Sequence, residues 1–170
     1  MSQAEELRCP KQVQKLLRQA SEIHRSPIYL VGGAVRDLLL CRPLQDLDLA
    51  TKAAKRLALA LAWSLKATMV VLDEQNAVYR VALPAKSHSI LQIDLAELQG
   101  QTIEDDLSRR DFTINAMAVC VEKGTPGPLI DPRGGLTDLR RGLIRAESEE
   151  LFKSDPLRLL RAFRLSSQLG

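Results

Sequence analysis

The stretch IYLVGGAVRDLLLCRPLQDLDLAT, residues 28–51, contains the pattern that decides the fold prediction. A short β-prone run ends at Gly32 and Gly33, and the following residues have the composition of a helix that Pro43 stops. Leucines then alternate with aspartates over residues 44–50, which is typical of a strand with one buried face. The sequence therefore predicts a strand, a glycine turn, a helix and a second strand.

The rest of the chain also mixes helices with strands. Apolar residues at helical spacing predict an amphipathic first helix before Pro27 and another helix over residues 53–65. Three later β-prone runs are predicted strands: residues 68–72, 78–83 and 90–95. Their short connectors favour antiparallel pairing. These elements predict a mixed α/β fold, with a small, largely antiparallel sheet and flanking helices.

The C-terminal third is predicted to contain more helix than strand. We expect residues 102–117 to be helical, with an interruption near Asp111, and residues 118–122 to form a strand. Glycines and prolines cluster in residues 124–135, which predicts loop rather than core. From Ser148 the chain is expected to be helical again.

Composition indicates one compact domain with a short extension and disfavours several kinds of site. The 170 residues are 45% apolar and carry a net charge of +3, which suits an anionic partner but is also explained by ordinary solubility. Cys9, Cys41 and Cys120 match neither a disulfide framework nor a zinc site and indicate a reduced, cytoplasmic setting. His24 and His88 are expected at the surface. No apolar run is long enough to span a bilayer, so no membrane partner is expected.

The aspartates of residues 44–50 are candidate metal ligands. Asp46 and Asp48 lie two residues apart on the predicted strand, so both carboxylates leave one face, with Cα atoms roughly 6.5 to 7 Å apart. They could hold two cations ~3.5 to 4 Å apart, and Mg²⁺ prefers such oxygen ligands. Asp94, in another alternating run, is the candidate third carboxylate and proton acceptor. Taken alone, an Asp-x-Asp strand is more often a solvated face.

The glycine turn is a candidate phosphate site. Gly32 and Gly33 would let backbone N–H groups approach a triphosphate, next to the positive N-terminal end of a helix. Arg36 could reach phosphate oxygens or neutralise the acidic cluster. The turn matches neither the dinucleotide fingerprint nor the P-loop, which disfavours a Rossmann oxidoreductase and a P-loop kinase.

Five motifs follow one another along the chain: VGGAVRD (31–37), DLDLAT (46–51), RRDFTINAM (109–117), DPRGG (131–135) and DPLRLLR (155–161). Together they resemble the head domain of the tRNA nucleotidyltransferase (CCA-adding) and bacterial poly(A) polymerase family. The resemblance runs from about residue 28 to residue 170. It implies the DNA polymerase beta-like nucleotidyltransferase fold, with a catalytic head over residues 1–146 and the start of a truncated helical neck over residues 147–170.

The resemblance also implies an activity. A family member would add CMP, AMP or both from CTP and ATP to the 3′ end of tRNA, using two Mg²⁺ ions. Poly(A) polymerase activity with ATP on RNA 3′ ends remains an alternative, as does a non-catalytic nucleotide- or RNA-binding module with the same fold. Because the family grips tRNA with later regions, we expect intact nucleotide and metal sites but weak, poorly selective RNA binding.

The motif residues acquire roles from the same resemblance. It implies that the triphosphate is held by Gly32, Gly33 and Arg36. It implies that the Mg²⁺ ions are carried by Asp46 and Asp48, with Asp94 at the position of the assisting carboxylate. By the same resemblance, the ribose and triphosphate side of the pocket would be lined by Arg110, Asp111 and Asn115.

Asp155 and Arg158 are the candidate base-selecting pair. Three residues apart on a helix, they would share one face. A carboxylate can accept from the exocyclic amine of C or A while a guanidinium donates to the adjacent ring nitrogen, and U and G present the opposite order. The resemblance implies selection of CTP and ATP, although Ser154 replaces the Glu of many relatives. Alternatively, Asp155 merely favours the helix start.

Arg161 and Arg164 continue a basic stripe from Arg158 at a spacing of three residues. This stripe could bind an RNA backbone, or it could cover a solvent-exposed face.

Overall fold

The structure is a computed structural model that describes residues 7, 9–84, 90–146 and 148–169. Within these residues the strands are β1 (Ile28–Val31), β2 (Asp46–Thr51), β3 (Thr68–Asp73), β4 (Val78–Ala82), β5 (Gln92–Glu97), β6 (Ala118–Glu122) and β7 (Thr125–Ile130). The helices are α1 (Lys11–Ile23), α2 (Gly32–Leu39), α3 (Ala54–Leu65), α4 (Ile103–Leu107), α5 (Gly135–Arg140), α6 (Glu150–Ser154) and α7 (Leu157–Leu169), and a 3₁₀ turn spans Thr113–Asn115. The prediction for His88 lies outside the described residues.

The strands form one mixed sheet in the order β3-β4-β5-β2-β1-β6-β7. Five of its six neighbouring pairs are antiparallel, and among the described strands β2 and β5 alone run parallel. In the parallel pair, Asp48 lies directly opposite Asp94. The predicted mixed, largely antiparallel sheet is confirmed, and its centre brings two candidate acids side by side.

The hydrophobic core fixes the direction in which the acids of β2 point. Leu47 and Leu49 are each 1% exposed and pack in the main core with residues of α1, α2 and α3. Because side chains alternate along a strand, Asp46 and Asp48 leave the opposite face. A slip of one residue in strand register would bury both aspartates and expose both leucines. Burial of the leucines, worth roughly 2 kcal/mol each, therefore holds the acids on the other face.

The prediction of loop is wrong for residues 125–130, which form β7, whereas residues 131–134 form a turn before α5, as predicted. Lys123 and Gly124 have φ of 51° and 86° and form the two-residue turn that returns the chain beside β6. Pro126 and Pro128 are tolerated because β7 is the last strand of the sheet. An edge strand can lose an N–H donor without losing a bond to a neighbour.

The helix predicted over residues 102–117 is shorter than expected, since α4 covers only its first part and a 3₁₀ turn follows. The chain leaves the helix so that Phe112 and Ile114 can enter a small core with Leu165 of α7. The Phe112 ring centroid also lies 6.4 Å from that of Phe152. The described part of residues 147–170 therefore packs onto the head, while a domain boundary at residue 146 stays a prediction.

His24 is buried, so its predicted surface position is wrong. Its side chain is 5% exposed, and its ring Nε2 donates to the Lys52 carbonyl oxygen at 2.9 Å and lies 3.0 Å from Thr51 Oγ1. Burial lowers the pKa of His24 below its usual value, although the bond to Lys52 opposes the shift. Among the described residues, no helix combines the length and the apolar character required to cross a membrane.

Candidate active site

A cleft of about 1050 Å³ opens beside the start of β2 and the N-terminus of α2. Its lining includes residues of five chain segments: the glycine turn, β2, β5, residues 109–115 and α7. The predicted site residues that line it are Gly32, Gly33, Arg36, Asp46, Asp48, Asp94, Arg110, Asp111, Asn115, Arg158, Arg161 and Arg164. Asp155 is the described site candidate that does not line the cleft.

The glycine turn lies against one of the two acids of β2. Gly32 has a φ of +62°, and its N–H donates to the Met117 carbonyl oxygen at 3.1 Å. The amide of Ala34, at the N-terminus of α2, donates to Asp48 Oδ2 at 3.3 Å. A Cβ atom on Gly33 would stand 3.3 Å from the same oxygen. The lack of a side chain at this position therefore leaves room for the carboxylate beside the turn.

Asp48 is held in an environment that disfavours its charge. Burial raises its pKa to about 6, and the negative charges of Asp94 and Asp46 act in the same direction. The Ala34 amide and the positive charge of Arg110 oppose this rise. A divalent cation between these carboxylates would relieve the repulsion, and oxygen ligands suit a hard cation such as Mg²⁺.

The described side chains form no group of three or more Asp, Glu, His or Cys residues that could hold a metal ion. Asp46 and Asp48 both line the cleft, and their role as metal ligands stays a prediction. Convergence of Asp94 with them onto a shared pair of Mg²⁺ ions stays a prediction.

Arg80 on β4 binds a predicted site residue, and sequence reasoning missed this partner. Its Nε and Nη2 donate to Oδ1 and Oδ2 of Asp94 at 2.8 and 2.7 Å. The signal in the sequence is a single charge inside the β-prone run VYRVA, residues 78–82. Identifying its partner requires the register of β4 on β5, which the sequence alone does not provide.

Arg36 is oriented by two partners. Its Nε and Nη2 donate to the two carboxylate oxygens of Asp37 at 2.9 and 3.1 Å, and its Nη1 donates to Asn115 Oδ1 at 2.8 Å. Arg36 is only 9% exposed, so these bonds fix a nearly buried guanidinium. The predicted positive charge beside the glycine turn is in place, and it links α2 to the 3₁₀ turn.

Arg110 rests on the glycine turn and is braced by Asp106. Its Nε and Nη2 donate to Asp106 Oδ2 at 3.2 and 2.9 Å, and the other Asp106 oxygen accepts from the Gln99 amide at 3.1 Å. A Cβ atom on Gly32 would stand 2.8 Å from Arg110 Nη1. Asp106 was also missed, although its spacing of four residues from Arg110 on a predicted helix could have revealed it.

Asp155 lies outside the helix that it was predicted to share with Arg158. It precedes α7 with a ψ of 93°, and its Oδ1 accepts from the Leu157 amide at 3.1 Å. This bond supports the helix start, and base selection by Asp155 and Arg158 stays a prediction. Arg158 Nε still lies 3.7 Å from Asp155 Oδ2, and Arg161 lies 3.8 Å from Asp155 and 3.3 Å from Asp111. Arg161 thus connects the candidate base-selecting and ribose-binding acids.

The family described as Poly A polymerase head domain matches residues 28–145. The chain belongs to this family. The matched residues of this head domain include Asp46, Asp48, Asp94 and the glycine turn, and the match ends before α7 begins.

Among curated relatives, this head domain is 42% identical over 142 residues to the CC-adding tRNA nucleotidyltransferase of Geobacter sulfurreducens, covering 83% of this chain and 32% of that protein. It is 40% identical over 157 residues to the CCA-adding enzyme of Geobacillus stearothermophilus, covering 86% and 38%. The structure of the Thermotoga maritima CCA-adding enzyme complexed with tRNA_CCA matches with a TM-score of 0.78 and 34% identity, over 97% of this chain and 41% of that one. The predicted nucleotidyltransferase fold is confirmed. The chain spans about a third to two-fifths of the length of these curated relatives.

Proposed function

We propose that this head domain adds CMP, AMP or both from CTP and ATP to the 3′ end of tRNA, as the catalytic part of a cytoplasmic enzyme. The observation that carries the proposal is the contact between the Ala34 amide and Asp48 Oδ2, which joins the glycine turn to the acids of β2. Phosphates bound at the turn would lie against Asp48 and Asp46. The names of the CC-adding and CCA-adding relatives support tRNA as the acceptor.

Nucleotidyltransferases of this family generally use divalent metal ions. Asp46 and Asp48 would hold two Mg²⁺ ions, with substrate phosphate oxygens completing the coordination. When bound, such ions make a hydroxyl more acidic and stabilise the charge on a leaving pyrophosphate. The pairing of carboxylates with an anionic substrate also requires this positive charge, because carboxylates and phosphates repel each other.

In the proposed reaction, the RNA 3′ oxygen forms a bond to the α-phosphorus, the bond to the bridging oxygen breaks, and pyrophosphate leaves. Arg36 and Arg110 bind the triphosphate, and their partners Asp37 and Asp106 hold both guanidinium groups in place. Asp94 accepts the hydroxyl proton. Each oxygen of the Asp94 carboxylate accepts one hydrogen bond from Arg80 and can accept a second one.

The remaining candidates select the nucleotide and hold the RNA. Asp111 accepts from the ribose 2′-OH, and Arg158, which lines the cleft, donates to the acceptor ring nitrogen of C or A. Asp155 lies 3.7 Å from Arg158 at the edge of this site and would accept from the neighbouring exocyclic amine. An unpaired polar edge of U or G in this pocket would cost ~1 to 3 kcal/mol. Arg164 and Arg161 line the same cleft and bind the RNA backbone.

Incorporation assays test this proposal. The protein is incubated with tRNA lacking its CCA end, or with unrelated RNA, each with labelled CTP or ATP and Mg²⁺. We expect incorporation into the tRNA, abolished in Asp48→Ala but retained in Glu74→Ala, which removes an exposed acid that does not line the cleft. CTP binding by Asp48→Ala should persist, because its arginines remain.

Two results would favour the alternatives. Repeated incorporation of ATP into any RNA would indicate a poly(A) polymerase. Nucleotide binding without incorporation by the parent protein would indicate a non-catalytic module with this fold.

A further inference from the structure

Three charged side chains form one row across the centre of the sheet. Arg80 on β4 lies directly opposite Asp94 on β5, and Asp94 lies directly opposite Asp48 on β2. Residues opposite each other on neighbouring strands point to the same face. Since β5 lies between β4 and β2, Arg80 and Asp48 flank Asp94 on its two sides.

Asp94 is bound on the Arg80 side of this row. The Nε and Nη2 atoms of the Arg80 guanidinium donate to Oδ1 and Oδ2 of Asp94 at 2.8 and 2.7 Å. Two parallel bonds fix the plane of the carboxylate as well as its position. The side chains are 32% and 21% exposed, so this pair is shielded from solvent more than an ordinary surface ion pair.

The charge of Arg80 acts on the whole acidic cluster. The bond to Asp94 is the main cause that raises the pKa of Arg80 above its usual value, and the negative charges of Asp46 and Asp48 contribute as well. Arg80 is therefore the counter-charge of Asp94, and it also attracts the two candidate metal ligands.

We propose that Arg80 is a positioning residue of the nucleotidyltransferase site. By binding both oxygens of Asp94, Arg80 orients this carboxylate for the reaction. Its positive charge also offsets the negative charge that Asp94 presents to the cations held by Asp46 and Asp48. The inference rests on the proposed function. It separates the third acid from the other two: Asp94 acts as an oriented carboxylate paired with a guanidinium rather than as a third unpaired charge.

Opposite effects on metal binding and turnover test this role. Mn²⁺ binding to the 170-residue protein is measured by isothermal titration calorimetry, and kcat and KM are measured for CMP incorporation. In Arg80→Gln we expect Mn²⁺ to bind about threefold more tightly, because a positive charge near the site is lost. We expect kcat to fall about tenfold or more, because Asp94 loses its orienting partner.

Three further variants make the test specific. Arg80→Lys keeps the positive charge but cannot form the two parallel hydrogen bonds of the guanidinium to Asp94. Mn²⁺ affinity should therefore stay near the parent value while kcat falls. The double variant Arg80→Gln with Asp94→Asn removes both charges, and its Mn²⁺ affinity should return towards the parent value. Arg56→Gln on α3 makes the same charge change at an exposed residue outside the cleft and should alter neither quantity.

Unchanged Mn²⁺ affinity in a folded Arg80→Gln protein would overturn the inference, as would a gain that persists in the double variant. If Arg80→Gln does not fold, Arg80→Lys decides, because parent-like kcat in that variant also overturns it. A parent protein that incorporates no CMP would instead contradict the proposed function. The Mn²⁺ measurements would still show whether Arg80 offsets the charge of Asp94.

Discussion

Replacing Gly32 by alanine tests whether the glycine turn holds Arg110 in its place. Gly32 has a φ of +62°, and a Cβ atom there would stand 2.8 Å from Arg110 Nη1. Gly142 has a similar φ of +65°, but a Cβ atom there would meet no described atom within 4 Å. The two substitutions therefore share the backbone strain and differ in the contact with Arg110.

The magnitudes follow from these two contributions. The left-handed conformation costs an alanine ~1–2 kcal/mol, and the stiffer unfolded chain offsets ~0.4–1 kcal/mol, so both variants should lose about 1 kcal/mol of unfolding free energy. The Tm should fall by about 2–4 °C. Gly32→Ala also displaces Arg110, whose motion is restricted by its two bonds to Asp106. Loss of a charged hydrogen bond to a triphosphate is worth ~1.5–3 kcal/mol, so CTP affinity should fall about tenfold or more.

Thermal unfolding followed by circular dichroism gives the Tm values, and calorimetric titration with CTP and Mg²⁺ gives the affinities. Gly142→Ala should bind CTP like the parent protein. Equal CTP affinities in Gly32→Ala and Gly142→Ala would refute the role of Arg110 at the turn. A parent-like Tm in both variants would refute the estimate of backbone strain.

Three further outcomes are expected. Burial lowers the pKa of His24 in the folded state, so the unfolded chain binds more protons and the free energy of unfolding should fall as pH drops below about 6.5. His24→Gln should flatten this pH dependence, measured by urea unfolding between pH 5 and 7. An unchanged slope in the variant contradicts the role of His24. Cys41 is exposed, whereas burial raises the pKa of Cys9 to about 11. A thiol reagent at pH 8 should therefore modify Cys41 before Cys9, and equal rates of modification would show that Cys9 is accessible. A Cβ atom on Gly135 would collide with the backbone carbonyl of Thr113, so Gly135→Ala should lose about 3 kcal/mol of stability, and a parent-like Tm would show that this backbone yields easily.

The parts of the site that the sequence predicted are those determined by local pattern. Alternation around Asp46 and Asp48 specifies which face they occupy, because the leucines between them must be buried. The turn at Gly32 and Gly33 follows from residues adjacent in the chain. Both features need only the period of a strand and the chemistry of a turn, and the structure places them together at the cleft.

The parts that were missed depend on contacts between distant segments. Arg80 acquires its role only from the register of β4 on β5, which is set by packing across the whole sheet. The strand containing Pro126 and Pro128 was mistaken for loop because prolines usually exclude a strand, and only its edge position permits them. The sequence placed the start of the last helix correctly, at Asp155 and Pro156. Asp155 was nevertheless expected to share a helical face with Arg158, because their spacing of three residues does not show that the backbone at Asp155 is extended.

The central claim is that Asp46 and Asp48 together hold divalent cations against a nucleotide at the glycine turn. Anomalous diffraction from crystals grown with Mn²⁺ and a non-hydrolysable CTP analogue tests it most directly. We predict anomalous peaks roughly 2.1 Å from carboxylate oxygens of both residues, with phosphate oxygens of the analogue bound to the same ions. A bound analogue with no peak at either aspartate, or with its phosphates far from the turn, would contradict the account.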